Sequence, residues 1–158
     1  MNQNTRIQQN EAFRLLGEWL FYLDGKLIRR EKNLLVAAGL NFLAAMIIRE
    51  NSQTNDIPWH LALGSGTTAP DSTDTTLENE TLRKEVSAKT RTANLMRLRT
   101  FFTAPEANGT HYEFGIFMAG TANKDSGTLL NRITPTGGIS KTSSQVLTIE
   151  VRITLSTG

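Results

Sequence analysis

The residues of this chain whose types suit chemistry are few and poorly grouped. Gly64-Ser-Gly66-Thr-Thr resembles the start of a phosphate-cradling loop, but the Gly-Lys-Ser/Thr ending is absent and no helix is predicted to follow. Ser65 between two glycines does not complete the Gly-x-Ser-x-Gly of a nucleophile elbow, and no histidine with an assigned acid stands ready to activate it. His111 and Glu113 alternate, so a strand would aim both one way; a metal site needs more ligands, and His60 is the only other histidine. Asp71, Asp74, Glu78 and Glu80 offer oxygens without the Asp-x-Asp-x-Asp-Gly spacing of a calcium loop. Such Asp and Thr side chains are better suited to bonding their own backbone. No carboxylate pair stands out for glycoside hydrolysis. The residues predict a non-enzymatic protein with no catalytic group, no metal site and no cofactor.

Charged residues inside apolar runs call for a structural explanation instead. Glu113 interrupts an apolar strand and needs a partner if buried, with Arg132 or Arg83 as candidates. Glu80 and Arg83 can pair between loop and sheet, although an exposed pair would stabilise by only about 0–1 kcal/mol. Glu80, Arg83, Glu113 and Arg132 are therefore read as structural locks.

Composition narrows the class. The 158 residues suit one domain with an appendage, and the absence of cysteine excludes disulfides, thiolate metal sites and a cysteine nucleophile. The net charge of +2 comes from 17 basic and 15 acidic residues. The densest basic run, Arg29-Arg30-Glu31-Lys32, is broken by a carboxylate, so the sequence predicts no specific nucleic-acid footprint. The first nine residues are polar, with no secretory signal. Residues 34–48 are apolar but shorter than a membrane span and contain Gly39 and Asn41, which predicts a buried helix and no membrane insertion.

Two periods divide the chain. Residues 1–9 read as a polar arm. Asn10 suits an N-cap, and Ala12, Leu15, Leu16, Trp19, Leu20 and Leu23 recur at helical spacing up to Asp24-Gly25, a left-handed stop. Phe13, Phe21 and Tyr22 widen that apolar surface, so Phe13, Trp19, Phe21 and Tyr22 are expected to anchor a partner. On that reading, truncating Trp19 and Phe21 leaves the fold intact and blocks assembly. Residues 26–36 alternate weakly as a strand, and a second helix over residues 37–50 would present Leu40, Leu43, Ala44 and Ile47 on one face. From residue 57 the period is two. Strands are predicted at residues 59–63, 81–88, 93–102, 112–118, 128–133 and 145–155, with Asn108-Gly109 as a hairpin signal. The predicted fold class is α+β: a helical docking segment at residues 10–56, then an antiparallel β-sandwich, jelly-roll-like, at residues 57–158.

Four pieces in order carry a resemblance. They are Asn33-Leu-Leu-Val-Ala-Ala-Gly39-Leu; Leu61-Ala-Leu-Gly-Ser-Gly66-Thr-Thr-Ala-Pro; Asp74-Thr-Thr-Leu-Glu-Asn-Glu80 followed by Arg83; and Tyr112-Glu-Phe-Gly-Ile-Phe117 followed by Gly127-Thr-Leu-Leu-Asn-Arg132. The set is similar to phage tail-collar fibre and baseplate-associated structural proteins. The resemblance implies a homo-oligomeric virion protein, assembled in the host cytoplasm, that joins other phage structural proteins of the tail, portal and neck, or capsid. Fibre proteins often continue into a repetitive shaft; here the last strand ends the sequence, which favours an adaptor or fibre-attachment subunit. Capsid decoration and host-glycan binding are the alternative expectations.

Overall fold

The alternating run near the end of the chain becomes a long strand at the middle of one sheet, and what pairs with it decides the architecture. In the computed structural model, which describes residues 13–48 and 57–157, that run pairs on one side with residues expected to be helical. The elements are β1 (Phe13–Leu23), β2 (Lys26–Lys32), β3 (Leu34–Leu35), α1 (Ala37–Ile47), β4 (Trp59–Gly64), β5 (Glu80–Glu85), β6 (Ala88–Thr92), β7 (Leu95–Phe102), β8 (Gly109–His111), β9 (Glu113–Met118), β10 (Thr128–Ile133), β11 (Ile139–Lys141) and β12 (Leu147–Thr157). The first sheet has the order β2-β1-β12-β7-β6 and the second β3-β10-β9-β4-β5; β11 and β8 form a separate pair. Every pairing is antiparallel.

The expected N-terminal helix is overturned. β1 pairs with β12 over its whole length, from Phe13 opposite Thr157 to Leu23 opposite Leu147. Its apolar residues fit either period, because both parities are filled. In the strand, Leu15, Trp19, Phe21 and Leu23 point into the core between the sheets, while Leu16, Glu18, Leu20 and Tyr22 point out. Aromatic residues favour a pleated, half-buried surface, and two partner strands satisfy the backbone that a helix would satisfy alone. Asp24 and Gly25, with φ of 48° and 78°, form the two-residue turn into β2. Asp-Gly suits this turn because both central residues need positive φ, the same property that suits a helix stop.

The expected boundary at residue 57 does not divide the sheets either, since β1 and β2 lie beside β12, β7 and β6. The polar arm, residues 10–12 of the expected helix and the side chain of Phe13 lie outside the described residues. The one helix among the described residues, α1, packs on β10 through Gly39, whose Cβ position would lie 2.6 Å from the Leu130 Cα. Phe42 and Leu43 reach the core, while Leu40 and Ile47 remain 43% and 78% exposed, so the face expected to be buried is split. Asn108-Gly109 makes no hairpin: it joins β7 of the first sheet to β8, whose partner is β11.

The shared core holds Trp19, Phe21, Leu61, Phe114, Ile116 and Val151 among others, with Phe21 edge-on to Phe114 at 4.9 Å between ring centroids. A second, smaller cluster of Val36, Ala62, Leu77, Phe117 and Leu129 lies on the other face of the second sheet. Its existence shows that this outer face is covered.

Candidate functional site

The cover is the segment between β4 and β5, residues 65–79. Leu77, 4% exposed, seats it on the small apolar cluster. Gly64 and Gly66 let its two ends close on one carboxylate: a Cβ at either position would lie 2.6 Å from the Glu113 Oε1. Gly115 leaves room for Leu77 in the same way, its Cβ position being 2.9 Å from the Leu77 Cδ2.

Glu113 is fully buried on β9 and faces this cap. It accepts hydrogen bonds from the backbone N–H groups of Gly66 (2.9 Å), Glu78 (2.8 Å) and Asn79 (2.6 Å). Arg132, on the neighbouring β10, donates to it from Nε at 3.2 Å and Nη2 at 2.9 Å. Its remaining nitrogen, Nη1, donates to Asp74 Oδ2 at 2.9 Å, and that carboxylate also accepts the Asp71 N–H. Asp71 in turn accepts from the Thr73 hydroxyl and N–H, which hold its carboxyl below the usual range. Glu78 is lowered likewise, mainly by the Thr68 N–H it accepts. The cap is thus a set of backbone groups organised by one buried carboxylate and one buried guanidinium.

A second pair lies on the same outer face of the sheet. Arg83 binds Glu80 through Nε at 2.6 Å and Nη2 at 2.8 Å, with side-chain exposures of only 2% and 1%. Arg83 Nη1 donates to the Ser126 and Thr121 carbonyls, and the Asp125 N–H donates to Glu80, so the pair holds the turn between β9 and β10. The guanidinium lies 4.5 Å from the Phe117 ring centroid, in cation–π range. The two pairs are therefore Glu113 with Arg132 and Glu80 with Arg83, and both are buried rather than exposed.

These carboxylates have little capacity left for chemistry. Glu113 receives three backbone N–H groups and two guanidinium contacts, which fills its lone-pair positions. His111 and Glu113 are not brought together: His111 Nε2 is 3.0 Å from the Ala107 carbonyl oxygen and packs edge-on against Phe114. His60 is 5% exposed, and burial first, then the nearby Arg83 charge, lowers its pKa. Among the described residues no group of three or more His, Asp or Glu side chains is arranged to hold a metal ion.

The expected partner anchor is displaced. Trp19 and Phe21 are 0% exposed and sit in the shared core, so neither is available to a partner; the strand's period of two turns them inward. Tyr22 faces outward on the first sheet and is partly buried. Three of the ionic contacts that sequence reasoning missed bear on the sheets and the cap. Asp74 joins the Arg132 lock, Lys84 binds Glu106 at 2.6 Å, and Glu150 lies between Arg99 and Arg152. The last had a legible half, because alternation already sets Glu150 and Arg152 on one face. The register with Arg99 did not show. Lys141, 2% exposed, donates to the Ala104 carbonyl and to Asn108 Oδ1, and nothing in its sequence neighbourhood marks it as buried.

Set against protein-family models, curated proteins and solved structures, the chain matches none.

Proposed function

We propose that this chain is a non-enzymatic structural subunit of a phage virion, a homo-oligomeric adaptor or fibre-attachment subunit at the tail, baseplate or neck. The observation that carries the reading is the cap. The segment whose residue order resembles phage tail proteins is, in this fold, a cover whose charged side chains are spent on its own backbone and on two buried ion pairs. Groups that bind substrate or move protons need open coordination, whereas locked groups preserve shape, as a subunit in a large assembly requires.

The fold also offers a partner surface in place of the displaced anchor. Among the described residues, Leu40 and Ile47 of α1 line an apolar groove of about 610 Å³ together with Leu15, Leu35, Met96 and Leu155. Apolar surface that the described residues leave uncovered is of the kind that marks sites of association. Cryo-electron microscopy of particles of the phage that encodes the chain tests the reading. Density in a ring at the tail or neck is the expected result. Density spread over the shell would make it a decoration protein, and absence from the particle would overturn the structural role.

A further inference from the structure

The two outer faces of the sandwich carry opposite charges. On the first sheet, register and alternation bring Arg14, Arg30, Lys32, Arg97, Arg99 and Arg152 to the outer face against only Glu18 and Glu150, four positive charges in excess. Contacts confirm the shared face: Arg30 pairs with Glu18, Arg99 and Arg152 with Glu150, and Arg97 donates to Thr92. Glu150 lies beneath its partners with a side chain 2% exposed, while the Arg30 and Arg99 side chains are each 57% exposed. Leu16, Leu27 and Phe101, at 58%, 41% and 44% exposure, are interleaved with these cations. Arginine beside exposed aromatic and aliphatic groups is the composition of a protein interface.

The opposite side is acidic. The cap places Asp71, Asp74, Glu78 and Glu113 around the single guanidinium of Arg132, three negative charges in excess, and Glu85 stands exposed on the adjoining β5. Because the whole chain carries only +2, this is segregation of charge and not a general excess.

We infer that the basic face of the first sheet docks on the acidic cap of a second copy. Two basic faces would repel, which opposes a two-fold contact, and the charge complement of each face lies on the far side of the same molecule. The contact is therefore head to tail, and it closes into a ring where the rotation per copy allows. Charge would set the register and the encounter rate, and burial of Leu16, Leu27 and Phe101 would supply holding energy. This deepens the oligomeric adaptor reading and rests on it.

The test is analytical ultracentrifugation of the full chain, alone and as two charge-reversed variants, Arg14→Glu with Arg97→Glu and Glu78→Lys with Glu85→Lys. Circular dichroism melts confirm that both fold. The wild type is expected to associate at low salt and to weaken at least about tenfold once the Debye length falls to roughly 3 Å near 1 M. Each variant alone should be monomeric. Their equimolar mixture should form a one-to-one dimer, because the intact basic face of the second variant then meets the intact acidic cap of the first, while the two altered faces are left without net charge. A wild type monomeric at every salt concentration would overturn the inference. So would assembly that neither variant disturbs, which would place the contact at the α1 groove. Binding of a short single-stranded oligonucleotide to the basic face without self-association would overturn it in favour of a nucleic-acid partner. The adaptor reading fails separately: a chain that assembles head to tail in solution but is missing from particles refutes the virion role alone.

Discussion

Arg132 Nη2 and Glu113 Oε2 meet at 2.9 Å in a place where neither side chain is more than 3% exposed. The pair sits on adjacent strands and holds a separate segment of chain, because the same carboxylate accepts three N–H groups of the cap. Burying two charges is costly, and only this dense bonding offsets the cost.

Removing one partner should therefore be expensive. Glu113→Gln leaves a buried guanidinium short of its anion and is expected to destabilise the fold by about 3–5 kcal/mol. Urea denaturation measures it, and hydrogen exchange should show the Gly66, Glu78 and Asn79 amides losing protection first. A loss below about 1 kcal/mol would mean that the pair is not the clamp described.

Trp19→Ala tests the core position of β1. Deleting a fully buried indole should cost about 3–5 kcal/mol, so the variant loses stability instead of remaining folded with a lost docking function. A thermal melt within a degree of wild type would return Trp19 to the surface.

Glycines separate two kinds of close approach. A methyl group at Gly39 would meet the backbone of Leu130, which cannot step aside, and Gly39→Ala should cost about 1–3 kcal/mol by lifting α1 from β10. At Gly115 the nearest atoms are the flexible ends of Leu77 and Leu129, so Gly115→Ala should cost less. Equal losses in paired denaturation curves would contradict this ordering.

Acid sensitivity has a defined direction. Hydrogen bonds from Lys84, then from the Thr103 N–H and hydroxyl, push the Glu106 carboxyl down to about 2 from its ordinary 4.5. A carboxyl depressed in the folded state contributes stability that is complete above its unfolded pKa and is lost as pH falls through the folded value. Stability from this contact should therefore decline between about pH 4.5 and pH 2. Carboxyl-detected NMR should place the Glu106 midpoint near 2 in the wild type and markedly higher in Lys84→Met. An unmoved midpoint would rule out Lys84 as the main cause.

Much of the strand pattern was legible because local information suffices for it. Alternation from Leu147 to Leu155 requires one wet and one buried face, and β12 has both. The apolar run before residue 48 likewise marks α1, though its buried face turned on contact with β10. Residues 13–23 were different. Their apolar side chains satisfy a helical stripe and a two-sided strand equally well, and Asp24-Gly25 ends a helix or turns a hairpin through the same positive φ. Only pairing with β12, more than a hundred residues away in sequence, selects the strand. The candidate locks show the same division. Residue type alone made Glu80, Arg83, Glu113 and Arg132 demand partners, since a charge in an apolar strand must be paired or exposed. Which arginine serves which glutamate, the entry of Asp74 and the opposite charges of the outer faces depend on register between strands. Register is a property of the whole sandwich, fixed by how two sheets bury one core.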